Sequence, residues 1–240
     1  MDWGNSFYTG NDVFEEFMLR APVTLQLAGM AIGLSILLGI PAGIIMAIRQ
    51  DTWLDYVVRI WTLLGLSIPN FWIATMVIMF GVLWFDWSPR LIYHSPVEDL
   101  YGNLAMYLWP VIATGVSSQA TKARMMRSTM LEVLRQDYIR TARAKGLPEG
   151  TVMRSHILRV AAPPILTGLI LGLASSVAGA ILTETVFNWP GMGRLYYDAI
   201  LAADESVVVA LTFMFTLIYV TARFILEVLY IVVDPRVRYQ

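Results

Sequence analysis

Asp137-Tyr-Ile-Arg-Thr-Ala-Arg-Ala-Lys-Gly-Leu147 sits inside the most basic stretch of this chain, and the sequence turns apolar on both sides of it. Lys122 to Arg159 carries nine of the 17 Lys and Arg residues. Immediately before it, Leu104 to Thr121 has no charge; immediately after it, neither has Val160 to Thr183. A helix needs roughly 20 mostly apolar residues to cross about 30 Å of hydrocarbon. Both flanks therefore read as membrane spans, and the basic stretch as the loop between them. Outward from there, Ala21 to Ile48 and Ile60 to Phe85 are uncharged as well. Ser206 to Ala222 is also uncharged, and its apolar character runs on to Val233, broken by Arg223 and Glu227.

The reading is an all-α polytopic membrane protein with five spans, at about 21–48, 60–85, 104–121, 160–183 and 206–233. It divides the chain into an external segment 1–20, a transmembrane domain 21–233 and a tail 234–240. Within the domain lie a loop 122–159 and an outer segment 184–205. The composition agrees: 57% of the 240 residues are hydrophobic and 15% charged, against about a quarter charged in soluble domains. The net charge of -1 carries no information about partners. The absence of cysteine excludes disulfides, thiolate metal sites and a cysteine nucleophile. Two histidines, His94 and His156, are too few for a histidine metal cluster.

Lys and Arg concentrate on the cytoplasmic side of membrane proteins. If the spans alternate sides, one side holds Arg49, Arg59, the nine residues of the loop, Arg223, Arg236 and Arg238. The other holds Arg20, Arg90 and Arg194. The loop and the C-terminus are expected in the cytoplasm, and the N-terminus outside. Met1 to Arg20 lacks the basic start and apolar core of a signal peptide. Either the first span inserts as a reverse anchor, or a preceding helix is missing from the sequence.

Small residues recur four apart in the first span (Gly29 and Gly33; Ser35, Gly39 and Gly43) and in the fourth (Gly168, Gly172, Ser176 and Ala180). Each set shares a helix face where backbones approach closely, as ordinary packing or as the sliding surface of a gate. The first four spans have no ionised residue in their interiors. Arg223 and Glu227 are one turn apart and suit a local ion pair. A coupling-ion pathway, which uses intramembrane carboxylates or histidines, is not expected. Neutral polar residues are frequent: Thr24, Gln26, Ser67, Asn70, Thr75, Ser117, Ser118, Gln119, Ser175, Ser176 and Thr183. They suit a wet passage or bonds between helices.

Met126, Met130 and Leu134 continue a helical pattern past the third span. Asp137 suits the cap of a new helix, Tyr138 to Lys145, and Gly146 the left-handed residue that ends it. Pro148 suits the start of the next helix, which runs through His156 into the fourth span. Pro163 and Pro164 are expected to kink or delay it. A helix of about eight residues does not persist alone in water. This one offers small residues at Thr141, Ala142 and Ala144 and donors at Arg140, Arg143 and Lys145. They suit a protein groove with an acidic rim or anionic lipid.

Asp137 to Leu147 resembles the cytoplasmic loop signature of binding-protein-dependent ABC importer permeases: Glu-Ala-Ala, three residues, Gly, nine residues, Ile-x-Leu-Pro. Arg140-Thr141-Ala142 stand in the Glu-Ala-Ala places, Gly146 is the glycine, and His156, Leu158 and Arg159 hold the Ile, Leu and Pro places. The departures at Arg140, His156 and Arg159 are similar to those of the peptide-importer branch. Met130-Leu-Glu-Val-Leu-Arg-Gln-Asp137, Val186-Phe-Asn-Trp-Pro-Gly-Met-Gly-Arg-Leu195 and Asp234-Pro-Arg-Val-Arg-Tyr239 resemble that branch too. They favour the first of the two permease subunits of di- and oligopeptide importers, in the peptide/nickel branch. That subunit usually begins with an extra helix and an external region, absent from this sequence.

The resemblance implies a type I (MetI-like) importer permease of a prokaryotic cytoplasmic (inner) membrane, in contact with lipid. It implies a second homologous permease subunit, two ATPase subunits, an external solute-binding protein and no nucleic acid. It implies an ATPase-coupling surface at Tyr138, Arg140, Thr141, Ala142, Arg143, Ala144, Lys145 and Gly146. The binding protein is expected to meet Trp189, Pro190, Gly191, Gly193 and Arg194, unless that segment is a plug on the spans. A short helix there would carry Leu195, Ala199 and Ala203 on one face. No Gly-x-x-x-x-Gly-Lys-Ser/Thr loop occurs in the chain. The chain is expected to have no catalytic residue and no metal or cofactor of its own, with ATP and Mg used by the partners. The cargo is expected to be di- or oligopeptide, with nickel or another solute as the alternative. A secondary transporter or channel, or an intramembrane protease using Ser117, Ser118 or His156, are the rival classes. No Gly-x-Ser-Gly motif supports the protease.

Overall fold

The computed structural model describes residues 3–88, 93 and 95–233. His94, Arg90 and the tail 234–240, with Arg236 and Arg238, lie outside the described residues. The described chain is all-α. It runs α1 (Val13–Ile48), α2 (Trp53–Ser67), α3 (Asn70–Phe85), α4 (Leu100–Leu134), α5 (Asp137–Ala144), α6 (Glu149–Thr151), a π-helical segment Val152–Leu158, α7 (Arg159–Phe187), α8 (Met192–Leu201) and α9 (Glu205–Val233). The end of the bundle that carries α5 is the basic end, and the opposite one is the α8 end.

α1 begins eight residues before the expected span, so residues 13–20 of the N-terminal segment are helical. Asp12 caps it, accepting a hydrogen bond from the Glu15 amide at 3.0 Å. At 36 residues the helix is about 54 Å long and overruns the hydrocarbon. α4 is nearly as long, 35 residues. α1 and α4 run parallel. The Tyr107 hydroxyl donates to the Val23 carbonyl at 3.0 Å, Gly115 faces Ala31 and Leu34, Gly39 faces Gln119, and Gly43 faces Ala123 and Met126. A Cβ on Gly39 would lie 2.6 Å from the Gln119 carbonyl oxygen, and one on Gly43 2.6 Å from that of Ala123. These glycines let the two backbones touch. Gly29 and Gly33, read from the same pattern, face open space instead.

Because α1 and α4 are parallel, the chain between them must return across the membrane. The second span was expected as one helix, Ile60 to Phe85; it is broken. α2 and α3 meet at 92°. Pro69 cannot donate in a helix and disfavours helical geometry at the residue before it. Ile68 is accordingly extended (φ -97°, ψ 120°), and α3 restarts at Asn70. By length and apolarity, α1, residues 149–177 and residues 205–229 can each cross a membrane, and the bent pair α2–α3 makes a fourth. α4 does not meet that measure, because it carries more polar and basic residues; it lies along α1 and also packs on α2 and α7.

Pro163 and Pro164 do not break α7, which runs unbroken from Arg159 to Phe187. The irregularity falls one turn earlier, where Val152–Leu158 is wound as a π-helix. Apolar clusters close both ends. Tyr107 and Trp189 meet edge to face at 4.4 Å between ring centroids near the α8 end. At the basic end, Met126, Met130, Ile139, Val152 and Ile157 are buried together.

Candidate functional site

The loop helix α5 starts at Asp137, one residue before the expected Tyr138, and Gln136 precedes it without a capping side chain. It ends at Ala144, one residue before the expected Lys145, and Gly146 is the left-handed residue beyond it, as expected. Gly146 has φ +77°, its amide donates to the Arg143 carbonyl at 2.9 Å, and that of Leu147 to Ala142 at 3.4 Å. This is the paired-bond Schellman ending that a left-handed residue permits. Ile139 and Ala142 are buried against the extension of α4 and the π segment. Everything else on α5 is exposed. Of the eight residues assigned to the coupling surface, Tyr138, Arg140, Thr141, Arg143, Ala144, Lys145 and Gly146 face outward. Ala142 does not: it anchors the helix, because an eight-residue helix must bury an apolar face to hold its shape. Arg143 pairs with Glu149 at 2.7 Å, tying α5 to α6, and Arg140 lies 3.6 Å from Asp137.

Behind α5, Asp55 of α2 is fully buried. Its Oδ2 lies 2.6 Å from the Arg59 guanidinium and 3.5 Å from that of Arg127 on α4. The bridge locks the first turns of α2 to the α4 extension. Sequence reading took Arg59 and Arg127 only as loop cations. An aspartate four residues before an arginine was the available signal.

Higher in the bundle, the α2–α3 bend opens a cavity of about 370 Å³. Asn70 lines it from beyond the bend, Thr114, Ser117 and Ser118 from α4, and Ser175 and Ser176 from α7. The structure thus gathers five of the neutral polar residues singled out from sequence. The others go elsewhere: Ser67 and Thr75 donate to carbonyls of their own helices, and Gln26 bonds Asn103. Thr183 lies 3.5 Å from Thr114. Gln119 is fully buried beside Gly65, with neither amide atom partnered among the described residues. Arg223 and Glu227 form an exposed pair at 3.8 Å, as the spacing implied.

At the α8 end the outer segment folds inward around one carboxylate. α7 continues four residues past the expected limit at Thr183, which brings Glu184 into the helix, fully buried. Glu184 accepts from the Thr24 hydroxyl at 2.5 Å and from the Arg194 amide at 3.0 Å. The Thr24 oxygen in turn accepts from the Met192 amide at 2.8 Å. Glu184 and Thr24 therefore satisfy the first amides of α8, where a helix has no internal acceptors. Gly191 leaves no room for a Cβ against that carboxylate, and a Cβ on Gly193 would lie 2.7 Å from the Ile181 backbone. Trp189, Gly191 and Gly193 are buried in the chain, and Pro190 and Arg194 are half-buried. This corrects the surface role expected for Trp189, Gly191 and Gly193: they dock the segment on the spans. Ala203 lies beyond α8 with φ +53°, off the face of Leu195 and Ala199. Glu184 does not stand out in the sequence because it lies directly after the uncharged run that ends at Thr183. A carboxylate seven residues before Gly191 was the signal.

The N-terminal segment is tied down at the same end. The Asp204 carboxylate accepts from the Ser6 hydroxyl, from the amides of Phe7 and Tyr8, both at 3.3 Å, and from the Val207 amide at 3.4 Å. Burial alone would raise the carboxyl; the Ser6 bond and the amide bonds outweigh it and hold it below its ordinary value. A lowered folded value means that Asp204 stabilises the hook fully above about pH 4. The contribution is lost as the pH falls through the lowered folded value. Asp204→Asn should release the hook at neutral pH. We expect chymotryptic cleavage after Phe7 and Tyr8 to quicken several-fold; an unchanged rate would contradict this tie.

Residues 39–239 match the family described as binding-protein-dependent transport system inner membrane component. The chain is 34% identical to the dipeptide transport system permease protein DppB of Alkalihalophilus pseudofirmus, covering 99% of this chain and 78% of that one. It is 35% identical to the oligopeptide transport system permease protein AppB of Bacillus subtilis, covering 99% and 76%. Its fold matches a chain of the inward-facing MetNI methionine ABC transporter with a TM-score of 0.68 at 18% identity, over 90% of this chain and 96% of that one. The chain belongs to the family of binding-protein-dependent transport system inner membrane components. It is a MetI-like, type I ABC importer permease, a non-catalytic subunit that works with ATPase and solute-binding partners.

Proposed function

We propose that this subunit passes di- or oligopeptides inward across the membrane, with α5 as the element on which an ATPase subunit docks. The exposure of α5 carries this reading: a short helix is held on its scaffold by Ile139 and Ala142 and shows nearly all its cationic and small residues to the outside. Small side chains at Thr141 and Ala144 permit close approach to a groove, and Arg140 and Lys145 meet an acidic rim. In this reading the basic end is cytoplasmic, which the distribution of Lys and Arg supports, and the α8 end meets the solute-binding protein. Pro190 and Arg194 keep part of their surface for that contact. A second homologous permease subunit completes the membrane part, and two ATPases bind ATP and Mg.

Docking on α5 couples nucleotide state to the spans because α5 is packed on both the α4 extension and the π segment that leads into α7. ATPase closure would move α4 and α7 together, and the cavity lies between them. Two global states biased by nucleotide at one site and cargo at another form an allosteric pair. The peptide cargo is supported by the relatives named above and by a cavity of hydroxyls and an amide, which suits peptide groups. Reconstitution of the complete transporter tests the proposal. Peptide uptake into proteoliposomes should require ATP and the solute-binding protein, and the ATPases should copurify with this chain. Uptake without ATP would overturn it in favour of a secondary transporter.

A further inference from the structure

Lys122 stands apart from the α5 surface and from the hydrogen bonds of the α8 end. It lies one turn below Ser118 on α4 and is 7% exposed. Its stem starts against α1, since a Cβ on Gly39 would lie 3.2 Å from its own Cβ. Its ammonium crosses to the cleft between α4 and α7. There Nζ donates to the Ser118 hydroxyl at 2.8 Å and approaches the Ser118 carbonyl at 3.5 Å. Gly172 of α7 lies beside it: a Cβ at that position would stand 3.7 Å from Nζ, in ordinary contact. No carboxylate pairs with it among the described residues. A buried ammonium without a counter-charge is costly, and ionisable groups inside a membrane bundle mark substrate paths.

The cavity beside it has a matching chemistry. Ser176 and Thr114 donate their hydroxyl protons to carbonyls of their own helices at 2.7 and 2.8 Å, and Ser175 donates to Gly172 at 3.1 Å. Their oxygens are left to accept. These three oxygens receive amide and ammonium protons and offer nothing to an anion. The cation that adjoins it is Lys122, reached through Ser118, which lines the cavity.

We infer that Lys122 is a specificity-determining residue of the passage, whose ammonium receives the terminal carboxylate of a peptide while the hydroxyl wall receives its N–H groups. This rests on the peptide-import reading above. The aliphatic stem, packed between α1 and α4, fixes the ammonium at the basic end of the cavity. A peptide leaving the cavity would exchange the Ser118 hydrogen bond of Lys122 for a charge-assisted one, which is the stronger.

The test uses the complete transporter in proteoliposomes, with dialanine and dialanine amide as probes, each at a concentration that saturates the solute-binding protein. Lys122→Met should lower dialanine uptake about ten-fold and change dialanine amide uptake less than two-fold. Lys122→Arg should restore most of the dialanine rate. Equal rates for wild type and Lys122→Met with both probes would overturn the proposal. So would an equal fall with both probes, the mark of a purely structural lysine. Failure of the wild-type transporter to import either probe would instead remove the peptide reading on which the proposal stands.

Discussion

Gly146→Val should cut ATP-driven uptake at least ten-fold and weaken ATPase copurification, while the permease still reaches the membrane in normal amount. Gly146 sits at φ +77°, with nothing within 4 Å of where a Cβ would stand. The penalty is therefore conformational rather than steric. A left-handed backbone costs an ordinary side chain about 1–3 kcal/mol, and a β-branched one is a true outlier there. To escape it, the chain must give up the Gly146 and Leu147 amide bonds that end α5. The exposed row from Tyr138 to Lys145 then loses its fixed geometry, although Ile139 and Ala142 keep the helix attached. Gly146→Asn is the control, because asparagine tolerates this conformation. Its uptake should stay within two-fold of wild type. Normal uptake and copurification in the valine variant would show that α5 is not the coupling element.

Glu184→Ala and Gly191→Ala should each destabilise the purified transporter by about 3 kcal/mol, but the double variant should be no worse than either alone. Removing the carboxylate strands the Thr24 hydroxyl and the Arg194 amide in a buried place, each at a cost of about 1–3 kcal/mol. Adding a methyl group at Gly191 drives it into the same carboxylate, which cannot move without breaking those bonds. Residues that share one contact are not additive. With Glu184 shortened, the methyl group of Ala at position 191 occupies the space vacated. Thermal unfolding in detergent gives the three values. Additive losses would mean that Gly191 and Glu184 do not meet as described. Hydrogen exchange in Glu184→Ala should report the damage in the Arg194 amide first, since it loses its acceptor, and next in the Met192 amide, whose acceptor Thr24 loses the carboxylate that holds it.

The two variants act at opposite ends, and the sequence disclosed those ends unequally. Gly146 was legible because its constraint is local: a glycine after a short amphipathic run ends a helix in any context. The spans were legible because a bilayer imposes length and apolarity on each helix separately. The break at Ile68-Pro69 was also written locally, but the apolar run hid it, since hydropathy does not register direction. Trp189, Gly191 and Gly193 looked like an exposed turn because glycine and proline mark turns. Only the packing of that turn onto Glu184, Tyr107 and Ile181 shows that its residues face inward.

By itself, the sequence of this protein determined an all-α chain with several apolar helices, the basic loop, the short helix within it and the glycine that ends that helix. Each of these follows from residues within a few positions of one another. The tertiary structure alone decided that Ala142 anchors α5 rather than joining its presented face. It also decided that Asp55 locks α2 to Arg127, that Glu184 holds the start of α8, and that Lys122 bonds Ser118, which lines the hydroxyl-rich cavity. The physical reason is common to all four. A side chain's environment is set by partners from helices distant in the chain, and a buried charge or a small residue becomes meaningful only when those partners are in place.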